Sequence, residues 1–277
     1  MKIKFLGTAA AEGIPGLFCE CDICRRSWEK GGKNIRTRCQ SLIDDKILID
    51  LGPDTYMHEL KYGIRLAKIN TILITHIHGD HYFPAELENR KPGFAHMEGC
   101  RSVEIIGSVD LNEPGMNSKI EVCGKDKPNS INVTYIKPFE TIVRDGYEIT
   151  AIKAVHGTDN PLNYIISKDG KTMLYVHDSS SYDDETWEFL KNRFDHFDLV
   201  SMDCTQGLIS IRWLGHMNIE RNLEFMNKMK ELGLGDEKTI FVANHFSHNG
   251  GATYDDYVEY TKSMPLVISY DGLEVEF

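Results

Sequence analysis

Apolar residues along this chain come in short runs, and several of those runs end in a histidine or an aspartate. Residues 71–75, Thr-Ile-Leu-Ile-Thr, are a β-branched stretch bounded by polar residues, which predicts a buried strand. Ile3 and Phe5 alternate with Lys2 and Lys4, as in a first strand. Residues 40–44 and 46–50 read as a hairpin around Asp44-Asp45. Further strands are expected at 102–106, 133–136, 140–143 and 147–155. A second hairpin joins 163–167 to 172–176 through a Lys-Asp-Gly-Lys turn, and strands at 198–202 and 238–243 follow. Helices are expected at 56–66, 182–193 and 219–232; in the last, Ile219, Leu223, Met226 and Met229 fall near one face as a core stripe. Residues 7–16 form a Gly/Pro-rich loop, and 83–130 mix short strands with Gly, Pro and Asn turns. No repeat or low-complexity segment divides the chain. We read residues 1–277 as one domain with a variable segment near 83–130.

The strand ends carry the chemistry. The run 71–75 empties into His76, His78, Asp80 and His81. Side chains alternate faces in extended chain, so His76 and His78 would point the same way and pinch one cation. Gly79 lets the backbone turn, so that Asp80 and His81 can face a second cation beside the first. Imidazole and carboxylate ligands suit zinc, manganese or iron. Later runs end at His156, at His177-Asp178 and just before His245.

Composition narrows the setting. The chain has 277 residues, 41% hydrophobic and 10% aromatic, enough for a globular core. No apolar run approaches the roughly 20 residues that span a bilayer. The N-terminal stretch superficially resembles a signal peptide, but its apolar segment is short and alternating, so a cytoplasmic protein with no membrane partner is expected. The formal net charge is −11 and no Lys/Arg stripe stands out, which weighs against a grip on long nucleic acid. A small phosphorylated substrate remains compatible, because metal cations supply positive charge locally.

Seven cysteines are present, and Cys19, Cys21 and Cys24 sit together. With no signal segment expected, Cys-x-Cys-x-x-Cys reads as three thiolates for a structural zinc that takes one more ligand from elsewhere. A short helix or loop over that zinc is expected within 25–38. Cys39, Cys100, Cys123 and Cys204 read as small buried side chains. His58, His96 and His196 read as ordinary surface or core histidines.

The His-x-His-x-Asp-His motif at 76–81 resembles the metallo-β-lactamase superfamily. That resemblance implies an α/β fold, the αββα sandwich of two mixed sheets flanked by helices. It implies His76, His78 and His156 around one metal, Asp80, His81 and His245 around a second, and Asp178 bridging both. His177 competes with Asp178 for a role, but a carboxylate bridges two cations better. Asp50 matches an acid that steadies the histidine loop without binding metal.

Over essentially the whole chain, the sequence is similar to the cyclic phosphodiesterase family of the carbon–phosphorus lyase (phosphonate) pathway. The cysteine cluster and Asn244-His-Phe-Ser-His248 carry this narrower resemblance. It implies that His248 joins Cys19, Cys21 and Cys24 in a Cys₃His zinc site. Gly215-His-Met-Asn218 matches an element whose histidine sits near the scissile phosphate, so His216 is expected to contact a phosphoryl oxygen or protonate the leaving alkoxide, while Asn218 caps the next helix. Asp80 and His216 are thus the expected catalytic residues. The expectation is a metal-dependent phosphodiesterase acting on a small cyclic ribose or nucleotide phosphodiester. It would use two divalent cations, manganese or zinc, and a hydroxide bridging them. The family also suggests a homodimer. Rival readings are a tRNA three-prime processing endonuclease, a thioester or lactone (lactam) hydrolase of the same fold, and a non-enzymatic accessory protein of cofactor biosynthesis.

Overall fold

The computed structural model describes residues 1–91, 93–96, 102–112 and 131–277. The apolar runs become the strands of two sheets. The first holds β1 (Lys2–Gly7), β2 (Gln40–Ile43), β3 (Ile47–Ile49), β4 (Thr71–Leu73), β5 (Val103–Gly107) and β6 (Ile131–Tyr135). The second holds β7 (Thr141–Arg144), β8 (Tyr147–Lys153), β9 (Leu162–Lys168), β10 (Lys171–Val176), β11 (Leu199–Asp203), β12 (Ile240–Asn244) and β13 (Val267–Ile268), side by side in reverse chain order. The C-terminal β14 (Glu274–Glu276) returns to pair antiparallel with β1, Lys2 opposite Glu276.

β3 through β6 run parallel, as do β10 through β13. Parallel strands are buried on both faces, which is why β3 and β11 are buried at every position. The inner faces meet in one core: Phe5, Ile47, Ile49 and Leu73 belong to the same cluster as Ile149, Ile166, Tyr175 and Val242. The outer face of the second sheet packs under α3 (Asp184–Arg193) and α4 (Ile219–Glu231) through Trp187, Leu190, Phe225 and Met229. On the outer face of the first sheet, Leu42, Leu48, Ile72 and Ile105 form a separate cluster, with Tyr62 of α2 (Thr55–Tyr62) packed against it. The expected αββα sandwich of two mixed sheets is the observed fold.

Several expected elements shift in instructive ways. β4 stops at Leu73, before Ile74 and Thr75, although the Ile74 N–H still donates to the Ile106 carbonyl at 2.8 Å. His76 and His78 therefore converge from a loop rather than by strand alternation. α2 ends at Tyr62 because Gly63 takes a left-handed φ of 65°, so 64–66 drop out of the expected helix. Over the cysteines, α1 (Asp22–Lys30) begins earlier than 25, with Cys21 as its N-cap. In α4 the buried face is completed by Phe225, while Leu223 is only partly covered. Unanticipated were β13, which is two residues long, β14, whose charged Glu-Val-Glu hides a strand, and α5 (Tyr254–Thr261), closed by a Thr253–Asp256 capping box.

Cys39 and Cys204 are buried as expected; Cys100, Cys123 and residues 113–130 of the variable segment lie outside the described residues. His58 is a core histidine, His96 is exposed, and His196 faces Asp236 at 3.2 Å. Among the described residues, no helix is long and apolar enough to cross a membrane.

Candidate metal centre and active site

Parallel strands deliver their C-terminal ends to one edge, and the candidate ligands collect there. The loop after β4 supplies His76, His78, Asp80 and His81; β8, β10 and β12 are followed by His156, Asp178 and His245. Three of the residues around the site hold left-handed backbones: Asp50 at φ 67°, Asp178 at 47° and His245 at 60°. Such conformations cost on the order of 1–2 kcal/mol each in L-residues, so the surrounding packing must enforce them. Close backbone contact sets Asp80: a Cβ on Gly52 would lie 2.1 Å from the Asp80 carbonyl oxygen, a position only glycine can fill.

The side chains form two groups sharing one carboxylate. In the first, His78 Nδ1 lies 2.9 Å from His76 Nε2 and 3.3 Å from His156 Nε2. In the second, His81 Nε2 lies 3.1 Å from an Asp80 oxygen and 3.3 Å from His245 Nε2. Asp178 sits between them: Oδ2 is 2.8 Å from His81 Nε2 and 3.0 Å from His245 Nε2, while Oδ1 is 3.7 Å from His156 Nε2. Despite these approaches, Asp178 Oδ2 is buried and makes no well-formed hydrogen bond. The neighbouring His177 turns away, pairing with Ser201 Oγ at 2.7 Å and Cys39 Sγ at 3.2 Å in the core.

The electrostatics fit cations. Burial opposes charge on His81 and His245, yet the carboxylates beside them win: His81 is raised well above the usual histidine range by Asp80, Asp178 and Asp50, and His245 to about 10 by Asp178 and Asp203. Burial lowers His76 instead. The carboxylates therefore favour positive charge at His81 and His245. Divalent cations would supply that charge through the same lone pairs, and Asp178 Oδ2, crowded by two imidazole nitrogens without a well-formed hydrogen bond, is an acceptor they would engage.

Asp50 lies against the histidine loop. It accepts from the Thr75 N–H and hydroxyl, both at 2.9 Å, and its other oxygen meets His81 Nδ1 at 2.7 Å. Asp203 was not anticipated. It is fully buried, accepts from the N–H groups of Thr205 and Met217 at 3.0 and 2.9 Å, and lies 3.1 Å from His216 Nδ1. Its signal was present: it ends an apolar strand, as His156 and Asp178 follow theirs. Burial alone would lower His216; Asp203 outweighs it and raises the pKa. Asp203, Asp178, His216 and His245 also lie close enough together to be a further metal-sized grouping, but Asp203 Oδ1 accepts from two backbone N–H groups and Oδ2 from the Thr205 hydroxyl at 3.0 Å.

The second predicted cluster also assembles. His248 Nδ1 lies 3.4 Å from Cys21 Sγ and 3.6 Å from Cys19 Sγ, and ligand atoms of Cys19, Cys21, Cys24 and His248 all lie within 4.8 Å of one another. The Cys21 thiol caps α1; burial opposes ionisation there, but hydrogen bonds from the Cys24 N–H and His248 bring it to about 7. Burial raises Cys24 to about 12, a cost that a bound cation would reverse.

Together, the four-layer sandwich and a His/Asp cluster at its strand ends define a metallo-β-lactamase-type domain. The model of the beta-lactamase superfamily domain matches residues 45–246, and the chain belongs to that superfamily. Among curated proteins it is 27% identical to ribonuclease Z of Listeria innocua over 63% of this chain and 52% of that protein. It is 34% identical to ribonuclease Z of Enterococcus faecalis over 40% and 31%. The chain thus spans about half the length, or less, of these relatives. Solved structures sharing the fold include a diphosphatase of the PhnP family (TM-score 0.72, 20% identity, 100% of this chain and 97% of that one). Zn²⁺-bound PqqB from Methylobacterium extorquens superposes with a TM-score of 0.76 at 18% identity over the whole of both chains. The short form of human tRNase Z gives 0.69 at 16% over 100% and 99%.

Proposed function

We propose that this protein is a metal-dependent phosphodiesterase acting on small phosphodiesters. The observation that carries the reading is Asp178, a buried carboxylate shared by two groups of imidazole and carboxylate donors, with the Asp203–His216 pair alongside. His76, His78 and His156 would hold one cation, Asp80, His81 and His245 a second, and Asp178 both. Bound there, manganese or zinc would neutralise phosphate charge and make a water nucleophilic near neutral pH. The protein's own residues do the rest. Asp50 fixes the His81 ring through Nδ1, leaving Nε2 for the site. Asp203 holds His216 by Nδ1 and favours its protonated form, so Nε2 is the atom that passes a proton to the leaving oxygen. As that phosphorus–oxygen bond breaks, the water oxygen bonds to phosphorus and releases one proton to solvent, from which His216 is reprotonated, and an alcohol and a phosphomonoester result. The surrounding cavity, about 290 Å³, suits a small ester. We read Cys19, Cys21, Cys24 and His248 as a structural zinc site pinning the N-terminal loop to the loop that carries His245.

The test is hydrolysis of bis(p-nitrophenyl) phosphate against p-nitrophenyl phosphate, with and without added manganese. We expect metal-stimulated diester cleavage and little monoester cleavage. No cleavage by protein shown to hold both metals would overturn the reading in favour of thioester or lactone chemistry or a binding role. The ribonuclease Z relatives support a second reading, tRNA three-prime processing; efficient trimming of a tRNA precursor with slow cleavage of small diesters would select it.

A further inference from the structure

Two side chains on the cavity wall are unused by the chemistry above; one has its backbone clamped and the other has its side chain held. Trp213 lines the cavity beside His156 and His216, with 44% of its surface exposed. Its backbone is clamped by Gln206, a fully buried amide. Gln206 Oε1 accepts from the N–H groups of Arg212 and Trp213, and Gln206 Nε2 donates to the Trp213 carbonyl at 2.9 Å. A buried amide that fixes the backbone beneath a part-exposed indole keeps an apolar ring on the wall of a polar site, which is what a stacking platform needs.

Glu12 lines the same cavity. Its Oε1 accepts from Ser247 Oγ at 2.8 Å and Asn249 Nδ2 at 3.0 Å, which fixes the carboxylate against the loop after β12. An ionised carboxylate only accepts hydrogen bonds. Beside a phosphodiester site it repels the anionic ester and rewards a neutral donor, such as a sugar hydroxyl.

We propose that the substrate carries a planar ring that stacks on Trp213 and a hydroxyl that donates to Glu12, making it a nucleoside-type phosphodiester rather than a base-free one. This rests on the phosphodiesterase reading, and the experiment separates the two. Wild type, Trp213→Ala, Trp213→Phe and Glu12→Gln are assayed on adenosine 3′,5′-cyclic phosphate, its 2′-deoxy analogue, and the cyclic phosphate of 1-O-methylribose. We expect Trp213→Ala to raise KM for the adenosine ester about 5- to 150-fold more than for the base-free ester, with Trp213→Phe restoring most of the difference. Glu12→Gln should erase a preference for the ribo over the deoxy substrate of roughly ten-fold. Equal loss on base-bearing and base-free esters overturns the platform, and an unchanged ribo preference overturns the role of Glu12. If wild type cleaves none of them yet cleaves bis(p-nitrophenyl) phosphate, the nucleoside proposal falls and the phosphodiesterase reading stands; if it cleaves no diester at all, the phosphodiesterase reading falls, and the platform is judged by binding alone. Adenosine 5′-monophosphate should then quench tryptophan emission in wild type and not in Trp213→Leu, where Trp28 and Trp187 remain; equal quenching in both overturns it.

Discussion

Cys19, Cys21 and Cys24 lie in one loop and the first turn of α1, and only His248 reaches them from far away in sequence. The residues of the His/Asp cluster come from the ends of β4, β8, β10 and β12, in two different sheets. The first grouping needs a local turn and one long-range contact. The second exists only when both sheets have formed and packed. A locally built site contributes chiefly to holding chain segments together, whereas a site at the sheet edges inherits the rigidity of the core and can position reacting atoms. The two approach each other in the loop after β12, where His245 belongs to one and His248 to the other.

If this division is right, the two clusters fail differently. Asp80→Ala should leave the fold and the cysteine-bound metal intact yet reduce diester turnover by at least about 10²–10³-fold, the scale of losing a preorganised charge-stabilising group. Metal analysis beside the rate assay checks it; normal turnover would remove Asp80 from the site. Cys21→Ser should instead release one zinc per chain while the His/Asp cluster keeps its metal. Structural zinc supplies roughly 10–16 kcal/mol in small zinc domains. Losing it here should cost several kcal/mol, read as a lower unfolding midpoint. Unchanged metal content would refute the Cys₃His assignment.

Asp203→Asn probes the boundary between metal binding and proton transfer. The amide keeps the shape but not the charge beside His216 Nδ1. Turnover should fall about 10- to 100-fold, as for other groups that orient active residues, with both metals retained. Loss of metal on this substitution would make Asp203 a ligand and recast His216 with it.

Legibility in the sequence followed the same division. The cysteine cluster and the His76–His81 motif are local patterns, visible as spacing. His156, Asp178 and His245 were placed by resemblance and by the apolar runs before them, and the sheet register then brings them together. Asp203 escaped because an aspartate at a strand end is common and its partner, His216, is reached only through tertiary packing. Glu12 and Trp213 escaped for a related reason: neither lies in a periodic element, and what distinguishes them is the buried Gln206 amide beneath one and the buried Ser247 hydroxyl against the other. The early end of β4 was hidden because Ile74 and Thr75 are as apolar and β-branched as the strand itself; the turn toward Asp50 decides it.

A histidine belonging to neither cluster serves as a control for both. His58 is buried, with Nε2 2.7 Å from Thr37 Oγ1 and Nδ1 2.7 Å from Gln40 Oε1. Burial lowers its pKa from 6.5 to about 4, and the nearby Asp54 does not compensate. As pH falls through 6.5, the unfolded chain takes up a proton that the folded chain refuses until about pH 4. Stability from this group is therefore complete above pH 6.5 and is lost on acidification between those values. At pH 5 the loss is about 2 kcal/mol, by linkage at 1.36 kcal/mol per unit. His58→Gln removes the titration and keeps a polar group near Thr37 and Gln40. Its denaturation midpoint should fall less than that of wild type between pH 7 and pH 5, while its metal content at each pH matches wild type. Identical slopes would mean that this neutral buried histidine contributes nothing to acid sensitivity.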